Sequence, residues 1–500
     1  MGEIVPRWEW RTFGSRFGTA ETQLAARAST GAASDEIYLL AREDANVKVR
    51  GGQLDIKMLR QVDRQGLEQW LPVLRATFPL APEQAARALE TLALAVPRLA
   101  GPCTLDEFLS RVGARGSAVR VVRVRKRRTQ CTIGRCLAEL ADVSADGRAT
   151  RTLAVESEDP DEVSRLVREL GLGGYVNTNY PRGLAALVAG EAMRFSVIDV
   201  GTNSVKFHAG ERAADGAWHT VADRAELTRL GEGLAERGTI AAGACERTAA
   251  AIARMVDEAR QCGVRAIVAV GTAALRRASN RVPVIAAIEE RSGVRVEVLP
   301  GEEEGRLAFL AASSGLRIVP GPLVVFDSGG GSTQFTFGRG SAVEERFSVD
   351  VGAVRYTERF GLDGAVPATV LHHAMAAIAT DLARLDGRPA PVVLIGMGGA
   401  ATNMAAVRHG LERYDADVVQ GTVLDVAEVD RQIELYRSTD AAARAAIRGL
   451  QPQRAGIILA GACIIRTIMT KLRAAAVTVS DRGLRHGVLI ERFGLLQRAP

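Results

Sequence analysis

One pattern occurs twice in this chain, and it limits the folds the chain can adopt. Residues 195–210 read FSVIDVGTNSVKFHAG and residues 323–338 read LVVFDSGGGSTQFTFG, and the two align without a gap. Asp199 falls on Asp327, Gly201 on Gly329, Ser204 on Ser332, Phe207 on Phe335 and Gly210 on Gly338. Each copy is an apolar strand, an Asp-x-Gly turn with small hydroxyl residues, and a second strand, which reads as a hairpin with a wide glycine-rich tip. Glycine lets the backbone approach a ligand and leaves successive N–H groups free to converge on an anion. Thr202, Ser204, Ser332 and Thr333 add short hydroxyl donors, and the Asp closing each first strand can hold a metal or a water beside the same anion. A single Asp-Gly turn is more often only a hairpin. The duplication, with Gly329, Gly330 and Gly331 consecutive, argues otherwise, because three glycines in a row cost stability that a purely structural turn has no reason to give up.

A chain of 500 residues has room for about three domains, each with its own core. Hydrophobic residues make up 47% and charged residues 24%, an ordinary globular balance. There is no apolar run of about eighteen residues, and Glu3, Arg7, Glu9 and Arg11 interrupt the start, so neither a membrane span nor a secretory segment is expected. The expected location is cytoplasmic. The six cysteines have no zinc-type spacing and read as free thiols. Basic residues concentrate at 119–130, VRVVRVRKRRTQ, a run that suits a polyanion or a solvated strand face. With six Tyr and four Trp and no aromatic interleaving, a nucleic-acid partner is not expected.

Residues 1–190 form the first expected domain. Segments such as RWEWRTF, VKVRGG, LDIKML and AVRVVRVRKRRTQ alternate apolar and charged positions at period two, as strands with one charged face do. If that face lines a closed barrel, it makes a basic tunnel with carboxylates for metal. These residues resemble the CYTH or triphosphate-tunnel family: Lys48 and Arg50 in VKVR, Lys57 in LDIKM, the Lys126–Arg128 run, Glu139 in LAELADV, and Glu156 with Glu158 in LAVESED. The resemblance implies an α+β antiparallel tunnel barrel with Lys48, Arg50, Lys57, Arg125, Arg127, Glu139 and Glu156 as its anion-binding and metal-associated set. The family's leading E-x-E-x-K is replaced here by Arg7, Glu9 and Arg11, which favours anion binding or docking over a second triphosphatase.

From residue 191 the strands turn continuously apolar (FSVIDV, RAIVAVG, GPLVVFD) and alternate with Ala-rich amphipathic segments, the signature of an α/β fold with buried sheets. With the repeat, this predicts two similar lobes, residues 191–322 and 323–500, with a cleft between them. GTAALRRASN places Thr272 at a helix start with Arg276 one turn on. GEEEGR places Glu302, Glu303 and Glu304 in a first helical turn, where acids are stabilising whatever their function.

Taken in order, DVGTNS, GTAALR, GEEEGR, DSGGGST, VGAVR, GMGG, RAGIILAG and SDRGLRHG resemble the exopolyphosphatase and guanosine pentaphosphate phosphatase (Ppx/GppA) family. The implied core is the two-lobed actin/Hsp70/sugar-kinase-like (ribonuclease H-like) fold. The implied activity is release of terminal phosphate from polyphosphate or pppGpp. Asp199 and Asp327 would hold Mg²⁺ or another divalent metal. Gly201, Thr202, Asn203, Ser204, Lys206, Thr272, Arg276, Gly329, Gly330, Gly331, Ser332, Thr333 and Arg485 would hold phosphate. Glu304 would be the catalytic base, with Glu303 the second candidate. Gln334, the third catalytic candidate, stands where the family has a carboxylate and can orient water through hydrogen bonds; His486 stands where the family has Glu, and Ala400 where it has Thr. Because an amide cannot take a proton from water, a polyphosphate or (p)ppGpp sensor is the alternative reading. A sugar or acetate-type kinase ranks below both. Self-association as a homodimer is left open.

Overall fold

The computed structural model describes residues 5–27, 30–64, 66–96, 101–316, 320–339 and 342–495. They fall into two compact units, one of Met1–Arg194, Glu211–His219 and Arg492–Pro500, the other of Phe195–Gly210 and Thr220–Glu491. The first unit therefore takes up two later pieces of chain that composition did not reveal.

The first unit is a closed antiparallel barrel. Its strands are β1 (Arg7–Gly14), β2 (Thr30–Leu40), β3 (Ala45–Arg50), β4 (Gln53–Val62), β5 (Glu68–Thr77), β6 (Arg120–Ile133), β7 (Cys136–Ala145) and β8 (Arg148–Ser157), in the order β1-β5-β4-β3-β2-β6-β7-β8. The helix Tyr180–Ala189 fills part of the bore, setting Tyr180, Leu184, Leu187 and Val188 against Val122, Val124, Ala141 and Val143. Gly183 permits that packing, since a Cβ there would lie 2.1 Å from the Phe13 ring.

Period two fixes one face of each strand inward, but the face of β6 expected from the sequence is the wrong one. Val122, Val124 and Lys126 are buried, while Arg123, Arg125 and Arg127 are exposed. Arg125 and Arg127, expected in the tunnel, point outward, with side chains 81% and 80% exposed and paired to Asp35 (3.5 Å) and Asp142 (2.9 Å). The physical reason is the pair of valines, which must meet the bore helix; in a pleated strand this sends every odd-numbered neighbour to the outside.

The second unit holds two sheets. One contains β9 (Met193–Val200), β10 (Ser204–Arg212), β11 (Trp218–Leu227), β12 (Ile267–Gly271) and β13 (Val296–Val298), in the order β11-β10-β9-β12-β13. The other contains β14 (Pro322–Ser328), β15 (Thr333–Arg339), β16 (Ala342–Val349), β17 (Val393–Met397), β18 (Val423–Asp425) and β19 (Ala476–Val479), in the order β16-β15-β14-β17-β19-β18. The repeat is visible in the topology. Three chain-consecutive strands lie side by side, and the first of them, β9 or β14, then pairs in parallel with β12 or β17. Its apolar residues are buried on both faces, as helix-covered parallel strands require. The helix Ile458–Lys471 is apolar almost all round and forms the centre of the second lobe's core.

Candidate active site

Both glycine turns close in the same way: Gly201 N–H donates to Ser204 O (3.1 Å) and Gly329 N–H to Ser332 O (2.9 Å), at equivalent positions of the repeat. The two tips meet. A Cβ on Gly331 would lie 2.8 Å from Thr202 Oγ1, and one on Gly330 would lie 3.4 Å from the Cβ atoms of Thr202 and Asn203. Gly352 is placed just as closely, 2.5 Å from the Gly330 backbone for an added Cβ. These glycines are dictated by backbone approach.

The crevice between the turns is lined by Asp199, Gly201, Thr202, Asn203, Ser204, Lys206, Thr272, Glu304, Asp327, Gly329, Gly330, Gly331 and Ser332, so most of the expected residues come together. Ala353, Gly399, Ile458 and Leu484 also line it, and each is the first residue of a helix of eight residues or more. Helix starts carry free N–H groups and partial positive charge, so this ring favours an anion. Gly398, at φ +94°, brings one of those helices within van der Waals range of Asp327.

Glu304 sits in the first turn of Gly301–Gly315. Gly301 and Gly305 let that turn lie against Ser348 and Thr336 of β16 and β15, which aims Glu304 inward. Arg276 Nη1 donates to Glu304 Oε2 at 2.6 Å, and Arg276 Nη2 reaches Ser332 Oγ at 3.4 Å. An ion pair this short would ordinarily keep a carboxylate ionised, but Glu304 is only 7% exposed. Burial, aided by the nearby Asp327 charge, outweighs Arg276 and pushes its pKa up to about 7. Gln334 supports it from below. With its amide nitrogen toward Glu304, Gln334 donates to Glu304 Oε1 (3.2 Å) and Asp327 O (3.1 Å) and accepts from Ser332 Oγ (2.7 Å) and Ser348 Oγ (3.1 Å), so every neighbour is satisfied.

Asp199 and Asp327 stand at matching strand ends. Lys206 Nζ lies 3.7 Å from Asp199 Oδ2, while Asp199 Oδ1 is buried and has no hydrogen-bond partner. Burial raises the Asp327 pKa; Lys206 opposes this and Asp199 adds to it. Two carboxylates, Asp199 buried with an orphaned oxygen and Asp327 half-buried, beside hydroxyls and carbonyls fit a hard divalent cation such as Mg²⁺.

Among the expected residues that do not line the crevice, Gln334 and Arg276 support Glu304, and Glu303, Thr333 and Arg485 are tied to other partners. Glu303 turns from the crevice to Arg306 (2.6 Å), because neighbouring helical residues diverge by about 100°. Thr333 is fully buried, and its hydroxyl donates to Val351 O (2.6 Å), fastening the turn rather than facing a ligand. Arg485 lies at the edge of the crevice, next to Leu484 and close enough for its charge to act on Asp327 and Asp199, but its guanidinium is held by Asp223, Nη2 donating to Oδ2 at 2.9 Å and to Oδ1 at 3.0 Å. Sequence reasoning missed Arg454, which lines the crevice, reaches Ser204 Oγ at 3.4 Å and forms no ion pair among the described residues. Burial, with Arg485 nearby, lowers its pKa. Its only sequence signal is its place at the head of RAGIILAG.

In the barrel, charges line the bore in partnered sets. Lys126 Nζ meets Glu139 Oε1 at 2.7 Å, Arg11 Nε meets Glu9 Oε1 at 2.8 Å, and Lys48 and Arg50 reach Glu36 at 3.5 and 3.7 Å. Burial would raise Glu139, but Lys126 and Arg11 hold it at about 2. Glu156 lies directly opposite Glu9 in register and is pushed up by burial and by that carboxylate, against the Lys57 charge. Glu36 and Arg128 belong to this set and were not named as site residues: Glu36 is isolated in sequence and carried no motif, and Arg128 was quoted only as the end of the Lys126–Arg128 run.

A family model described as the Ppx/GppA phosphatase family matches residues 211–495. This chain belongs to the Ppx/GppA phosphatase family. Exopolyphosphatase 2 of Mycobacterium tuberculosis is 29% identical over 319 residues, 60% of this chain and 99% of that protein. The bifunctional 3-dehydroquinate synthase/phosphatase of Fusobacterium nucleatum is 26% identical over 305 residues, of which the match spans 46% of its length and 59% of this chain. The crystal structure of the Aquifex aeolicus Ppx/GppA family member superposes with a TM-score of 0.53 at 29% identity, covering 60% of this chain and 97% of that one. The Ppx/GppA core and the barrel before it thus have the two architectures expected of them. No helix among the described residues is long and apolar enough to cross a membrane.

Proposed function

We propose that the Ppx/GppA core hydrolyses the terminal phosphoanhydride bond of a linear phosphate chain, inorganic polyphosphate or the pppGpp 5′-triphosphate, with Glu304 as general base. The observation that carries this reading is a buried carboxylate with a pKa of about 7 in the same crevice as two facing glycine turns and four helix starts. A base poised near neutral pH can both lose and regain a proton at working pH. The helix starts, the turn N–H groups, Ser204, Ser332 and Arg454 bind and orient phosphate oxygens. Glu304 takes the proton of a water directed at the end phosphorus, and Arg276, bonded to both Glu304 and Ser332, aligns the base with the phosphate-binding turn. Asp199 and Asp327 would hold Mg²⁺, which supplies charge neutralisation on the phosphate oxygens.

Gln334 weighs in favour of hydrolysis over sensing. It does not line the crevice, and its contribution is a hydrogen bond that orients Glu304. The test is phosphate release from polyphosphate and from pppGpp by Glu304→Gln. The expected loss is about 10²–10⁴-fold in kcat with binding retained; undiminished release would remove Glu304 from the mechanism. Tight binding with no release by the unaltered chain would establish the sensor instead. The bore of the barrel, with Lys48, Arg50, Lys57 and Lys126 among its charges, is proposed as a second polyanion site.

A further inference from the structure

β10, β11 and the last helix bring two imidazoles and a carboxylate together. His208 on β10 is buried, and its Nδ1 lies 2.9 Å from Oδ2 of Asp223 on β11. His486, in the first turn of Leu484–Phe493, sets its ring centroid 4.4 Å from that of His208. One ligand atom from each of the three lies within 4.8 Å of the others. His486 Nδ1 is buried and has no hydrogen-bond partner, an unsatisfied polar atom that a ligand would satisfy.

We propose that His208, Asp223 and His486 bind a divalent transition-metal ion of the zinc class, at a site distinct in chemistry from Asp199 and Asp327. Two imidazoles and one carboxylate are a donor set for Zn²⁺, Co²⁺, Ni²⁺ or Fe²⁺, and a poor one for Mg²⁺, which prefers oxygen. Three protein ligands leave a position for water. Asp223 also holds Arg485, so occupancy competes with that ion pair and couples the ion to an arginine at the edge of the crevice.

The test uses the full chain, stripped with chelator, equilibrated with excess Mg²⁺ and titrated with Co²⁺ and, separately, Zn²⁺. One equivalent of Zn²⁺ retained through desalting in Mg²⁺, and visible Co²⁺ bands perturbed by the site, are expected. His486→Gln should weaken retention by at least about tenfold. Asp223→Asn, judged folded by its circular dichroism, should do the same. The six free cysteines are an alternative source of retained metal, and the comparison with the variants separates them. Retention unchanged in both variants, or displaced by Mg²⁺, would overturn the site. Because metal is counted directly, the outcome is independent of whether Glu304 catalyses hydrolysis.

Discussion

Glu304 combines an ion pair with an elevated pKa, and the combination has a thermodynamic sign. Its folded-state pKa of about 7 exceeds the ordinary value of 4.5, so between those limits the native state keeps a proton that the unfolded chain has lost. Stability of this unit should therefore fall as pH rises from about 5 to 7.5, by up to about 3 kcal/mol. Glu304→Gln removes that titration. Its Tm should exceed that of the unaltered chain at pH 8 and differ little at pH 5, as calorimetry at both values would show. The substitution that silences the base would thus stabilise the fold, as expected where function and stability conflict. Arg454 supplies the opposite test. As a half-buried cation lining the crevice without a carboxylate partner among the described residues, it gains most from a phosphate oxygen. Arg454→Ala should raise KM for polyphosphate about tenfold or more, with a smaller change in kcat, read from initial rates. Asp199, Asp327 and the turns were legible because they are duplicated, and Glu304 only through the resemblance of GEEEGR, since acids in a first turn are stabilising whatever their function. Arg454 and Asp223 were not, since one Arg among 64 basic residues has no local signature.

At the scale of elements, the crevice depends on close backbone approach. Gly352 starts a helix against Gly330, and a methyl group there would meet backbone that cannot give way. Gly352→Ala should cost about 1–3 kcal/mol by forcing the helix off the turn, with activity falling more than stability. Thermal melts and phosphate release on one preparation would show both. The strands were readable from the sequence, but which face of them turns inward was not. In β6 the alternation Val122, Val124, Lys126 against Arg123, Arg125, Arg127 announces two faces, yet only the helix Tyr180–Ala189, more than fifty residues later, decides which is inside. The Lys126-Arg127-Arg128 run also breaks the alternation where the decision matters.

For the whole molecule, composition placed a boundary near residue 190, because the strands there change from charged-and-apolar to wholly apolar. It could not show that Glu211–His219 and the stretch from Arg492 belong with the barrel, since neither segment differs in composition from its surroundings. Those segments are tied in by specific bonds: Ser15 N–H to Arg492 O (2.8 Å), Arg148 Nη1 to Ala214 O (3.3 Å), and Arg212 to the Phe493 carbonyl. The chain is laced through one unit three times. A protease nick at the 194–195 bond should therefore yield two fragments that travel together on a sizing column and part only in denaturant. A shortened chain begun at residue 195 would leave two stitches without their cloth, and should be recovered as aggregate rather than as a soluble catalytic half.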